Sequence, residues 1–192
     1  MWGEIKMTIK DVFATHEEKM KKAIEVLRRD LASLRAGRAT PALLDKITVD
    51  YYGTPTPVNQ VANVSVPEPR MITIQPWEKN MLAPIEKAIL KSDLGLTPNN
   101  DGVIIRLSIP QLTQQRRTEL VKVIHKKAED ARVAIRNIRR DANDSIKKLE
   151  KDKAISEDEV KKAQDDMQKL TDKYIKEADS SMNAKEKEIM EV

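Results

Sequence analysis

Apolar side chains recur at three- and four-residue steps through three long, charged stretches of this chain. In residues 8–35 the series is Ile9, Phe13, His16, Met20, Ile24, Leu27, Leu31 and Leu34. In residues 113–149 it is Leu120, Ile124, Ala128, Ala131, Ile135, Ile138, Ala142, Ile146 and Leu149. After residue 155 it is Val160, Ala163, Met167, Leu170, Tyr174, Ala178, Met182 and Ile189. A 3.6-residue period places each series on one stripe of a helix. Such polar rods, roughly 40–55 Å long at 1.5 Å per residue, are stable only when the stripe is buried against another element. Ser156 and Glu159 have the spacing of a capping box, with Ile155 and Val160 at the positions of a hydrophobic staple. Residues 151–154 are a short turn, so the second and third rods pack antiparallel. Three facing seams predict a three-helix bundle.

Residues 41–110 break this pattern. They hold 13 charged side chains against 53 in the rest, and they collect prolines and β-branched residues. Alternation predicts strands over 47–52, 61–66, 71–74 and 103–109, with turns at 53–57 and 97–102. A helix is expected over 81–93, capped by Asn80, with Pro84 in its first turn and Gly95 just past its end. Tyr51, Tyr52 and Trp77 offer ring faces for stacking on bases, although strand aromatics in a small domain are expected in the core. The fold class is therefore α+β: a long three-helix bundle formed by residues 1–36 and 111–192, with a small domain inserted at 37–110. The insert joins the bundle through Ala36, Gly37, Arg38, Ala39 and Thr40 on one side and Ser108, Ile109, Pro110 and Gln111 on the other. These two connections read equally as a hinge and as a fixed elbow held by packing.

Charge is unevenly distributed. Residues 111–151 carry 12 basic and 6 acidic side chains, whereas 152–192 carry 8 and 12. Arg132, Arg136, Arg139 and Arg140 lie on the basic stretch. At about 100° per residue, the last three fall at roughly +40°, −20° and +80° from Arg132. Four guanidinium groups thus share one flank, about 100° from the apolar stripe. Guanidinium is rigid, always charged and forked, which suits phosphate oxygens. A folded nucleic acid is the partner such a rod fits. The competing reading is a solvated charged face, partly neutralised by Asp141 and Asp144.

Other chemistries find little support. With no cysteine there is no disulfide scaffold and no thiolate metal site. His16 falls on the first seam and reads as a satisfied core or boundary residue; His125, beside Lys126 and Lys127, reads as exposed. Neither has an evident nucleophile or metal partner, and five scattered glycines form no phosphate loop. No metal, cofactor or catalytic residue is expected. No apolar run is long enough to span a membrane, and residues 1–7 lack the apolar centre of a signal peptide, so a cytoplasmic monomer is expected. A coiled-coil adaptor or chaperone is the rival class; an enzyme is weaker still.

Four motifs then occur in a recognisable order. Residues 35–45 begin Arg35, Ala36, Gly37, Arg38. A turn reads Tyr51, Tyr52, Gly53, Thr54, Pro55, Thr56, Pro57. Residues 86–99 contain Leu94, Gly95, Leu96, Thr97 and Pro98. The last motif is the arginine stretch, 131–144. Together they resemble bacterial ribosome recycling factors over about residues 7–192. The resemblance implies an L-shaped molecule with a tRNA-like outline, a β/α/β short arm, and no catalysis of its own. It implies binding to the post-termination ribosome and, with elongation factor G and GTP, its separation into subunits for a new round of initiation. It also carries contact with large-subunit ribosomal RNA to Arg132, Arg136, Arg139 and Arg140, with Arg139 the leading anchor, and to Arg35 and Arg38 near the domain junction. Two departures stand out. Residues 1–6 extend past the usual start, which makes Met7 a candidate initiator. Gln114 and Gln115 stand where acidic residues are expected at a helix N-terminus, where they would complement the helix dipole.

Overall fold

The computed structural model describes residues 7–191; the reading of residues 1–6 lies outside them. The chain divides into two compact units. One comprises the described residues up to Leu34 together with Gln114–Glu191, and the other is Arg35–Thr113.

The first unit consists of three long helices: α1 (Ile9–Ala32), α3 (Gln114–Lys151) and α4 (Glu157–Met190), with α2 (Leu82–Lys91) belonging to the insert. Each of the three packs against the other two. The expected seams form the core, with Met20, Ile24, Ile124, Ala128, Ile135, Ala142, Ile146, Met167 and Ala178 all almost fully buried. On α1 the buried position is Val12, while Phe13 and Ile9 are half-buried. Ile138 is likewise only half-buried. Alanines at 128, 131 and 142 keep α3 slim where its neighbours approach.

Local signals set the helix starts. The Ser156–Glu159 capping box is present, with Ser156 Oγ accepting from Glu159 N at 3.3 Å and Glu159 Oε2 accepting from Ser156 N at 2.8 Å. A second box opens α1: Thr8 Oγ1 accepts from Asp11 N, and Asp11 Oδ2 accepts from Thr8 N at 2.9 Å. Two polar side chains of the core find partners inside the bundle, whereas Arg117 Nε and Asn143 Oδ1 are buried without one among the described residues. His16 Nδ1 donates to Val12 O at 2.7 Å, as expected of a core histidine. Tyr174 donates its hydroxyl to Glu17 at 2.9 Å; burial, then that bond, pushes the phenol up to about 12.

The second unit builds a four-stranded antiparallel sheet in the order β3 (Ala62–Glu68), β4 (Met71–Pro76), β6 (Ile105–Ser108), β5 (Pro98–Asn100). A separate hairpin pairs β1 (Thr48–Tyr51) with β2 (Thr54–Pro57). Ile72, Ile74, Ile105 and Leu107 pack with Val49, Val58, Ile85 and Ile89 into one core, the last two from α2 (Leu82–Lys91). The register of β3 on β4 shifts between Ser65 and Glu68, where Pro67 has no N–H to give the ladder.

Four expectations for the insert are corrected. Residues 54–57 are not turn but strand: Tyr52 and Gly53 both take positive φ, so the reversal fits in two residues and the prolines lie on a two-stranded hairpin. Residues 98–100 also pair, as edge strand β5, where proline is tolerated. Residues 103 and 104 stay out of β6 because Asp101 Oδ1 accepts both their N–H groups. Asn80 does not cap α2; it lies inside a 3-10 turn, Lys79–Met81, and the N-cap residue Met81 makes no side-chain cap.

The aromatics of the insert are also displaced from the expected core. Tyr52 is 76% exposed and Trp77 69%. Tyr51 is half-buried. Both tyrosine hydroxyls donate to Glu78, and those bonds, Tyr51 first, hold its carboxyl below the usual range.

Candidate nucleic-acid interface

The arginine flank of α3 forms as the helical spacing requires, but its members are not equivalent. Arg132 is the most enclosed, with 18% of its side chain exposed. Its Nε donates to Glu129 at 2.8 Å and its Nη1 to Asp179 of α4 at 2.5 Å. Burial opposes its charge, yet the two carboxylates outweigh burial and raise its pKa above the ordinary value. Arg136 donates to the other oxygen of Glu129 at 3.1 Å. Glu129 therefore bridges both arginines, and its carboxyl is held low by Arg132 first and then Arg136.

Further along the helix the partners lose their charge. Arg139 donates to the neutral amide oxygen of Gln168 at 2.6 Å, and Gln168 passes its own N–H to Asp172 at 2.8 Å. Arg140 is exposed and has no hydrogen-bond or ion-pair partner among the described residues. The flank thus grades from two internally paired guanidiniums at 132 and 136 to two whose charge is uncompensated by direct contact at 139 and 140. The expected neutralisers, Asp141 and Asp144, make no ion pair with these arginines among the described residues. Both lie on the exposed side of α3, while Glu129, one turn before Arg132, reaches the flank instead. Glu129 could have been found from its i,i+3 spacing. Asp179 and Gln168 could not, because only the packing of α4 brings them close.

The candidates nearer the insert are placed differently. Arg35 donates to Leu94 O at 2.6 Å and to Asp93 O at 3.3 Å. It closes the chain just past α2. Arg38 is exposed and without a partner among the described residues. Ala36 and Gly37 are buried, and Gly37 has φ +72°. Ala39 N donates to Pro69 O and Ile109 N to Arg70 O, both at 2.8 Å. Ser108 pairs with Met71 in the sheet, and Thr40 precedes the 3-10 turn Pro41–Leu44. Pro110 and Gln111 are exposed.

No group of three or more histidine and acidic side chains suited to a metal exists among the described residues, and none of the described helices is long and apolar enough to cross a membrane. His125 is half-exposed, with Nε2 2.8 Å from Glu186.

Known proteins place this architecture. Residues 27–190 match the family model for ribosome recycling factor. The chain is 66% identical over 184 residues to the ribosome-recycling factor of Syntrophomonas wolfei subsp. wolfei, covering 96% of this chain and all of that protein. Against the factor of Desulfitobacterium hafniense strain Y51, identity is 68% with the same coverage. A solution structure of a ribosome recycling factor superposes with a TM-score of 0.76 at 47% identity, covering 98% of this chain and all of that one. A second match has a TM-score of 0.62 at 50% identity and covers 95% of this chain and 99% of its own. It belongs to models for the T. thermophilus ribosome recycling factor and E. coli elongation factor G bound to the E. coli post-termination complex. A helical bundle with an α+β insert and such relatives is a translation factor. The chain belongs to the ribosome recycling factor family.

Proposed function

We propose that Arg139 and Arg140 grip phosphates of large-subunit ribosomal RNA, while Arg132 and Arg136 hold the flank in place through Glu129 and Asp179. As a ribosome recycling factor, the protein binds the post-termination ribosome and, with elongation factor G and GTP, splits it into subunits. In this reading the nucleotide is hydrolysed by the partner; the chain is not an enzyme, needs no cofactor, and works as a cytoplasmic monomer. The observation that carries the RNA assignment is the free guanidinium of Arg140 beside Arg139, whose contact is a neutral amide. A phosphate can displace that amide without stranding a buried charge.

Arg38 is a further exposed cation, and Arg35 is the weakest candidate because two of its nitrogens already serve carbonyls. The connections 36–40 and 108–111 are our proposed hinge. The bonds at Ala39 and Ile109 tie those two residues to the insert, so the freedom we propose lies in residues 36–38 and 110–111. The test is sedimentation of post-termination ribosomes with this protein, with and without elongation factor G and GTP. Co-sedimentation alone, and conversion to subunits when all components are present, is the expected result. Binding that persists unchanged in an Arg139→Ala, Arg140→Ala double variant sinks the arginine assignment.

A further inference from the structure

Trp77 is one of the most exposed large apolar side chains of the insert, at 69%. It follows directly on β4, where its N–H donates to Val61 O at 3.2 Å, so its backbone is fixed although its ring is not buried. Beside it lies an open surface cavity of about 670 Å³. Trp77, Pro41 and Pro76 supply apolar walls, and Asn59, Asn63 and Gln75 supply polar ones. Asn63 and Gln75 are register partners across β3 and β4, so their side chains leave the same face of the sheet. β3 is an edge strand, which leaves the cavity open on that side.

Single exposed hydrophobic residues are ordinary and need no explanation. The surroundings set this one apart. None of the three side-chain amides has a hydrogen-bond partner among the described residues. No residue lining the cavity is charged. A phosphate would find no cation there, and a metal ion no carboxylate or imidazole. What the cavity does present is an indole face, two proline faces and three groups that each donate and accept. A flat heterocycle with donors and acceptors on its rim matches that set. Nucleobases stack on aromatic rings whatever their identity, and side-chain amides pair with base edges.

We propose that this cavity takes one unstacked RNA base, its ring against Trp77 and its edge on Asn63 and Gln75. The source of the RNA rests on the ribosome-binding reading above; the contact would add an uncharged anchor on the insert to the charged grip of the bundle. A proline-rich peptide is the competing ligand, because tryptophan and proline also line polyproline grooves. Such grooves do not call for three free amides.

The test uses the full chain, isotope-labelled, with the two indole N–H signals assigned through Trp2→Phe. It is titrated separately with hexa-adenylate RNA, with an abasic ribose-phosphate hexamer and with a decaproline peptide. The RNA should shift the Trp77 indole and the side-chain amides of Asn63 and Gln75 saturably, and the abasic hexamer should not. Trp77→Ala should weaken the response read at Asn63 and Gln75 roughly 5- to 150-fold, one stacked base's worth, with Trp77→Phe intermediate. Equal shifts with the abasic hexamer, shifts with decaproline but not RNA, or no response to the RNA would each overturn the proposal. Ribosome sedimentation of the unaltered chain is read in parallel. If it pellets normally while the Trp77 signals stay still, only the base site fails; if it does not pellet, the ribosome reading fails instead.

Discussion

Arg132 of α3 and Asp179 of α4 meet at 2.5 Å, and the same guanidinium also holds Glu129 one turn back on its own helix. An arginine read from spacing as a ligand for phosphate thus also ties two helices together. Arg132→Ala should remove that tie and leave Asp179 half in water. The expected loss is about 1–2 kcal/mol, below the usual worth of charged hydrogen bonds because both carboxylates keep access to solvent. For a chain of this size that lowers the melting temperature by about 2–8 °C. Circular dichroism melting checks it. A variant that melts like the parent but binds ribosomes more weakly would return Arg132 to the RNA.

Arg140 should behave in the opposite way. It is exposed and makes no internal bond among the described residues, so Arg140→Ala should change stability by no more than about 0.5 kcal/mol. If it donates to a phosphate, ribosome binding weakens by about 1.5–3 kcal/mol. The slope of log affinity on log salt should also flatten by about 0.7–0.9, one phosphate's share of released counterions. Sedimentation at several salt concentrations measures both. An unchanged slope with weakened binding would mean that Arg140 acts other than through phosphate.

These two arginines show what was legible in the sequence. Helical periodicity is a one-dimensional property, so the seams, the Ser156–Glu159 box and the shared flank of four arginines could all be read in advance. Which arginine is free depends on what α4 brings across, and Asp179 and Gln168 are 47 and 29 residues away from their partners. In the insert, the sheet-forming alternation was legible in β1, β3 and β4, where Val49, Ala62, Ile72 and Ile74 are buried. It failed at residues 54–57 and 98–100, because edge strands tolerate the prolines and asparagines that otherwise mark turns. The aromatics misled for a similar reason. Hydrophobicity alone places Tyr52 and Trp77 inside, but one occupies a two-residue turn and the other follows the last residue of a strand.

Acid should reveal the loop before β6. Asp101 accepts N–H groups from Ile104 and Val103 and the guanidinium of Arg106. The backbone bond from Ile104, then Arg106, then the backbone bond from Val103 lower its pKa from 3.8 to about 2. A depressed carboxylate stabilises the folded state above its unfolded pKa and loses that contribution as pH falls through the folded value. The window here is about pH 4 down to 2. Asp101→Asn keeps an acceptor oxygen but removes the charge. Its melting temperature should lie below that of the parent at pH 6, and the gap should close as pH approaches 2. A gap that stays constant across that range would assign the effect to lost geometry rather than lost charge.

Gly37 offers a test of backbone strain in the first of the two connections. Its φ is +72°, and a Cβ there would lie 3.1 Å from Leu112 Cγ. Both features penalise Gly37→Ala, but they are separable. The left-handed conformation costs an L-residue about 1–2 kcal/mol, partly offset by about 0.4–1 kcal/mol from the stiffer unfolded chain. The close contact is with Leu112 Cγ, which a change of χ1 can move away. Gly37→Ala should therefore lower stability by about 1 kcal/mol in urea melts. Adding Leu112→Ala should not restore it, because the φ strain remains when the crowding is gone. Recovery in the double variant would show that packing against Leu112, not the sign of φ, is what requires glycine at this point in the chain.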